Sequence, residues 1–450
     1  MAYLARTIAE HVCGSLSTNT DPALRELAMR CILDLLGAAF AGSGMPGPSA
    51  MRNIAHSQFG DGVVPIWGTG TRAAPIAALL ANSAAASALD IDDGHRAARG
   101  HPGAAVIPTV LALASQHTAT ARDIVSAIVL GYDVGVRIAA AQNPERIRTR
   151  QSGRWAACAA VAAGARLLKY KPEHVSQALS IAGVLAPNQE ANGSSGYSKL
   201  TGNDVKEGIA WSAATGLTAL SLAAHGHTGP EDFLDHPDYY DGERMVTGLG
   251  SRLEILGTYF KPYACCRYVH PALDGFLDVI ARHRLKPESI TSLDVETFGW
   301  AVKLNNTTEP KNLVDVQYSL PYCLAIAAND GADALVPIRA DVLNRPDLSH
   351  FAENVRLHVA PEIDALFPGE TLARVTVRTN RLEYTSNIQA PLGDPQNPMD
   401  WDAVEQKFLV ITSGAISSER QQLIVDGVLN IANGDVSSLL HALDLPDAGP

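Results

Sequence analysis

The hydrophobic period of this 450-residue chain changes part-way along, and that change limits the fold more than any single motif. From the N-terminus to about residue 260 the text is alanine- and leucine-rich, with apolar residues at helical spacing. TDPALRELAMRCILDLLGAAFAG shows the pattern. Thr20 or Asp21 caps the start, Pro22 takes the first turn, Leu24, Leu27, Cys31 and Leu35 recur on one face, and Gly42 stops it. TARDIVSAIVLGYDVGVRIAAA opens with a Thr120-to-Asp123 spacing that predicts a capping box. Further helices are predicted over 155–168, 173–185 and 205–224, each closed by a Gly, Asn or Pro turn.

From about residue 286 apolar and polar residues alternate in SITSLDVETFGWAVKL and ARVTVRTNRLEYTSNI, with β-branched enrichment. That is the period of half-buried strands. Helical text (LPYCLAIAANDG, PEIDALF) is mixed in, and GDPQNPMDWDAVEQKFLVIT returns to helix through a Pro- and Asn-rich connector. The chain is therefore expected to be mainly α. Residues 1–268 and 395–450 form a large all-helical domain, and residues 269–394 a smaller α+β lid.

A 46% hydrophobic content suffices for a sizeable core, while a net charge of −12 argues against nucleic acid or an anionic membrane as partner. No segment has the form of a secretory leader, and no run of about 20 apolar residues is present, so the expected compartment is the cytoplasm. The six cysteines form no C-x-x-C pair, which argues against a disulfide framework or an iron–sulfur cluster.

Ionisable chemistry is concentrated in LDIDDGHRAARGHPGA, residues 89–104. Asp90, Asp92, Asp93, His95 and His101 admit a metal reading, but Arg96 and Arg99 place positive charge beside the cation. A solvated loop with Asp93 as a cap is the bland reading. The third is an anion pocket in which Arg99 and His101 receive carboxylates while a nearby Asp or His moves a proton, and the density of mixed charge before a buried helix favours it. A second concentration, TYFKPYACCRYVHPALDG, carries Lys261, Arg267 and His270; its adjacent Cys265 and Cys266 form neither a ready disulfide nor a Cys–His dyad. The third, NGSSGYSKLTGNDVKEG, brings Lys199 and Lys206 to a loop entering a helix, without the spacing of a phosphate-binding loop.

These segments, with KEGIAWSAATGLTALSLAAHGHTGPEDFL, VQYSLPYCLAIAANDG and GDPQNPM, occur in one order along the chain, and that order resembles the MmgE/PrpD family. The resemblance implies a homodimer whose protomer has a large helical domain and a smaller α+β lid, with a site that needs no cofactor and no metal between them. It implies Asp90, His101, Lys199 and His270 as catalytic residues, with Lys206 an alternative for the lysine and Tyr318 or Tyr322 as the site tyrosine. Gly94 departs from the family's usual Thr or Ser, and the ending Arg-Gly-His-Pro is closer to the epimerases of the family.

The expected activity is abstraction of a proton α to a carboxylate in a small di- or tricarboxylic acid. Loss of water is the leading form (2-methylcitrate dehydratase-like), with epimerisation and decarboxylation as alternatives; a non-catalytic carboxylate-binding scaffold is the reading outside enzymes. His101 and His270 are expected to work as base and acid, with Asp90 orienting one imidazole. Arg99, Lys199 and Lys261 would stabilise the developing charge. Asp93, His95, Arg96, Lys206 and Arg267, with the two tyrosines, complete the expected substrate contacts, and that many cations imply a small polycarboxylate as substrate.

Overall fold

Asp21 accepts hydrogen bonds from the amides of Ala23 and Leu24, and Pro22 takes the first helical position, so helix Pro22–Gly42 starts and stops where its sequence predicts. Thr120 and Asp123 close the expected capping box at the head of helix Ala121–Ala141. These elements belong to a computed structural model that describes residues 2–15, 21–147, 149, 151–187 and 203–446. Thr20 and Lys199 lie outside the described residues.

Most of the helical half packs round one core. Its central members are helices Pro22–Gly42, Gly103–Ala114, Ala121–Ala141, Ala156–Leu167 and Ile209–Ala224. Small residues allow the closest of these approaches: a Cβ on Gly135 would lie 2.6 Å from the Ala159 methyl. Helix Ala121–Ala141 has length and hydropathy enough to cross a bilayer, yet 94% of its apolar stretch is buried among its neighbours. Its buried Arg137 pairs with Asp133 at 3.0 Å, as a charge inside a protein core requires.

A second core is built on a four-stranded sheet whose order is Val355–Val359, Ile290–Thr297, Ala373–Thr379, Glu383–Thr385. The first pair is parallel and the other two antiparallel. Leu293, Val295, Val375 and Val377 supply its inner face, and helices His270–His283 and Leu320–Asn329 share the core. The strands at Ile290 and Ala373 follow the predicted alternation. Strand Val355–Val359 alternates too, with Val355 and Leu357 half-buried against the second core, but as an edge strand it has no fully buried position.

The chain then returns to the helical half. Helix Trp401–Thr412 packs along Pro22–Gly42, and the Lys407 ammonium enters the interior to bond Asp34 and the carbonyl of Ile91. The two cores meet at one place that matters for chemistry: Ala38, Leu89, Ile91 and Ile411 belong to the second core although their neighbours in the chain belong to the first.

Candidate active site

Leu89 and Ile91 are buried on either side of Asp90, which fixes the aspartate at that junction. The cost is local strain. Asp90 has φ +54°, Arg99 φ +52° and Lys206 φ +47°, a left-handed conformation that costs a non-glycine residue about 1–3 kcal/mol and persists only where the surroundings enforce it. The enforcement is visible in the loop. Gly94 and His95 pair with Tyr259 and Thr258 as a short antiparallel ladder, and the His95 amide donates to the Gly100 carbonyl at 2.9 Å. That ladder carries Lys261, two residues beyond Tyr259, to Asp90. Only a glycine fits at 94, since a Cβ there would lie 2.4 Å from the Tyr259 hydroxyl.

The result is a buried cluster of opposite charges. The Lys261 ammonium donates to the Asp90 carbonyl at 2.7 Å and to its Oδ1 at 3.0 Å. On the other side of Asp90, His101 Nε2 lies 3.3 Å from the same Oδ1. His101 Nδ1 faces Asp92 Oδ2 at 3.2 Å and the Asp93 carbonyl at 3.0 Å. The His101 amide donates to Ser152 Oγ at 3.0 Å, and Ser152 in turn donates to Glu207 at 2.6 Å. Lys206 Nζ donates to the carbonyls of Ser87 and Ala88 at 2.7 and 3.2 Å, and to Gln317 Oε1 at 3.1 Å. Ser87, Asp90, Asp92, His101, Lys206, Glu207, Ile209 and Tyr318 enclose a cavity of about 10 Å³, room for about one water.

Burial and charge set the protonation of this cluster. Burial alone would raise the Asp90 carboxyl, but the charges of Lys261, Lys206 and His101 outweigh it and hold the group at about 2. For His101 burial favours the neutral ring, yet the charge of Asp92, its hydrogen bond and the charge of Asp90 prevail and push the imidazole up to about 9. His101 is therefore an imidazolium at neutral pH, clasped between two ionised carboxylates. Asp93, pushed up to about 7 by burial and by Asp34, serves as its support: Oδ1 accepts from the Gly103 amide and Oδ2 from Tyr132.

Several expected contacts are drawn elsewhere. His95 Nε2 points to the Glu254 carbonyl at 2.9 Å, and burial lowers its ring to about 4, so it is a neutral structural group. Arg96 and Arg267 both turn to Asp394, at 3.4 and 3.6 Å, and Arg267 also bonds the carbonyls of Pro391 and Leu392. The Arg99 guanidinium lies over the Phe367 ring, 5.5 Å from its centroid. Tyr322 donates to the Val342 carbonyl at 2.6 Å inside the second core, whereas Tyr318 faces the cavity. His270 is fully buried, contacts the Cys265 carbonyl through Nε2 at 3.1 Å, and has an Nδ1 without a partner among the described residues; burial, Arg267 and Lys261 keep it neutral. Of the two candidate lysines, Lys206 lines the cavity and Lys199 lies outside the described residues.

Asp92, Ser152, Glu207 and Gln317 are site residues that the expected list omits. Asp92 had a signal in its place between Asp90 and Asp93, and Glu207 in its place beside Lys206. Ser152 comes from a distant segment of ordinary composition, and nothing in its local text marks it, whereas Gln317 sits beside Tyr318 in VQYSLPYCLAIAANDG, one of the segments that carry the resemblance.

Asp90, Asp92 and His101 also bring ligand atoms within 4.8 Å of one another, close enough to hold a metal ion. The donor chemistry opposes it. Lys261 already places an ammonium 3.0 Å from Asp90, and that positive charge beside the carboxylate repels a cation.

Sequence comparison gives this geometry a context. The MmgE/PrpD N-terminal domain matches residues 6–242, and the MmgE/PrpD C-terminal domain matches residues 263–431. The chain belongs to the MmgE/PrpD family. A cis-aconitate decarboxylase of Aspergillus terreus is 26% identical over 480 aligned positions, which cover 98% of this chain and 96% of that protein. The cis-aconitate decarboxylase-like protein oryM of Aspergillus oryzae is 25% identical over 456 positions, covering 92% and 91%. Among MmgE/PrpD proteins, then, this chain aligns end to end with enzymes of the lyase type.

Proposed function

We propose that this MmgE/PrpD protein is a cofactor-independent lyase for a small polycarboxylic acid, and that its reaction ends in proton delivery, as in decarboxylation of an unsaturated acid such as cis-aconitate. The observation that carries the reading is the placement of His101 on the cavity wall, its ring nitrogens 3.3 and 3.2 Å from the Asp90 and Asp92 carboxylates, whose charges favour the protonated ring. When a carboxylate leaves as carbon dioxide, the electron pair of the broken C–C bond passes to carbon and spreads into the remaining acid groups. Lys206, with Lys261 behind Asp90, stabilises that charge, and His101 supplies the proton that quenches it. Asp90 is too weak a base, at about 2, to remove a carbon-bound proton efficiently.

A second reading, loss of water, is favoured by Glu207, which lines the same cavity as His101 and brings a carboxylate base to it. One experiment separates them. The enzyme is incubated in deuterated water with cis-aconitate, citrate, 2-methylcitrate, malate and iminodisuccinate, followed by carbon and proton NMR. Carbon dioxide with one deuterium in the product supports decarboxylation, and a new alkene without carbon dioxide supports dehydration. Exchange with inversion supports epimerisation. No reaction with any of these acids overturns the polycarboxylate assignment.

A further inference from the structure

The Ile91 carbonyl lies between Asp90 and Asp92, the two aspartates that face His101, and a distant part of the chain holds it. Lys407, on helix Trp401–Thr412, donates from Nζ to that carbonyl at 2.6 Å and to Asp34 Oδ1 at 2.5 Å. Asp34 sits within helix Pro22–Gly42, and neither it nor Lys407 is among the residues that enclose the charged cavity. Both side chains are buried. The two helices approach closely at this level: a Cβ on Gly37, three residues on from Asp34, would lie 3.0 Å from Ile411 and 3.1 Å from Phe408. The ammonium therefore has little room to move.

The bond at Ile91 completes a pattern along the loop. The Ser87 and Ala88 carbonyls accept from Lys206, the Asp90 carbonyl from Lys261 and the Ile91 carbonyl from Lys407, while the Asp93 carbonyl faces His101 Nδ1. Two consecutive carbonyls, those of Asp90 and Ile91, are thus held by ammonium groups from two different elements. Asp90 needs such fixing, because its backbone stands in the left-handed region at φ +54°, which persists only where the surroundings enforce it. A buried ion pair is a poor stability device by itself, since apolar residues of similar volume often serve as well or better.

We propose that Lys407 is a positioning residue: anchored on Asp34, its ammonium holds the Ile91 carbonyl and so sets the backbone that aims the Asp90 and Asp92 carboxylates at His101. The catalytic consequence rests on the reading of His101 as proton donor, whereas the positioning itself is measured without substrate.

The test is nitrogen-15 NMR titration of His101 in the full-length protein, for the wild type, Asp34→Asn, Lys407→Met and the double variant. His101 is faced by Asp90, Asp92 and Lys261 and, through Ser152, by Glu207, and all of these stay in every variant. The double variant removes one positive and one negative charge together, so the net charge is that of the wild type, and it remains measurable if the stranded Asp34 unfolds Lys407→Met. Asp34→Asn keeps the bond to Ile91 and should titrate as the wild type does, near 9. Loss of the Lys407 ammonium should bring the His101 midpoint down to about 8 or below, and should lower kcat at pH 7.5 about tenfold with KM little changed, on whichever acid the wild type turns over. A folded double variant with His101 near 9 and wild-type kcat overturns the proposal and leaves the proton-delivery reading intact. An equal fall in Asp34→Asn traces the effect to the Asp34 charge and also overturns it. A wild-type His101 that titrates near the ordinary 6.5 overturns both the proposal and that reading.

Discussion

The Lys261 ammonium stands 3.0 Å from Asp90 Oδ1, and neither side chain has meaningful contact with solvent. A buried pair of this kind is costly to break and cheap to replace, because removing one partner strands the other charge. Lys261→Met is expected to lower unfolding stability by about 3–5 kcal/mol, and combining it with Asp90→Asn, which tolerates the left-handed backbone, to cost clearly less than the sum of the two single losses. Urea unfolding of the two single variants and the double variant checks this. Losses that simply add would mean that the pair is not coupled.

The pH dependence of stability follows from the same cluster. The ordinary histidine value is about 6.5, and His101 is raised to about 9 in the folded chain, so its contribution is complete below about 6.5 and disappears as pH rises through 9. Asp90 runs the opposite way: lowered to about 2, it contributes fully above the ordinary value of about 3.9 and loses that contribution as pH falls through 2. Melting curves of the wild type and His101→Gln should converge between pH 6.5 and 9. Parallel curves across that interval would contradict the raised value.

Ser152 joins the His101 amide to Glu207. Ser152→Ala leaves both without this partner, a loss of about 1–3 kcal/mol for buried groups, and should reduce turnover about tenfold through misplacement of His101. Steady-state kinetics should show the fall in kcat with KM little changed. A variant with wild-type kcat would reduce Ser152 to a packing residue.

Gly94→Ala places a methyl against the Tyr259 hydroxyl, with 2.4 Å between Cβ and oxygen. The ladder that delivers Lys261 must then shift. The expected outcome is a stability loss of about 1–3 kcal/mol together with reduced turnover, measured by urea unfolding and kinetics. Unchanged stability would mean that the loop absorbs the methyl without moving Lys261.

Much of the frame is visible in the text because its determinants are local. Asp21, Pro22 and the Thr120–Asp123 box act within one helical turn, and the Ile290–Thr297 alternation follows from one buried face. The site is only half visible. Asp90, His101 and Lys206 stand out as clustered charge, and the resemblance gave them roles. What the text cannot supply is direction: His95, Arg96 and Arg267 share the composition of the site but turn to Glu254 and Asp394, partners fixed by tertiary packing. Ser152 and Gln317 enter from segments remote in sequence. Tyr318 and Tyr322 are four residues apart, and only the helix starting at Leu320 decides that Tyr322 points into the second core.

The proposed reaction requires a resting site that holds a proton on His101, ready for delivery. Nitrogen-15 NMR of the histidine-labelled enzyme, with His101 assigned by the resonances missing from His101→Gln, measures that state directly. Both ring nitrogens are expected to be protonated at pH 7.5, with titration centred near 9. A neutral His101 ring at pH 7.5, titrating near the ordinary 6.5, would contradict it.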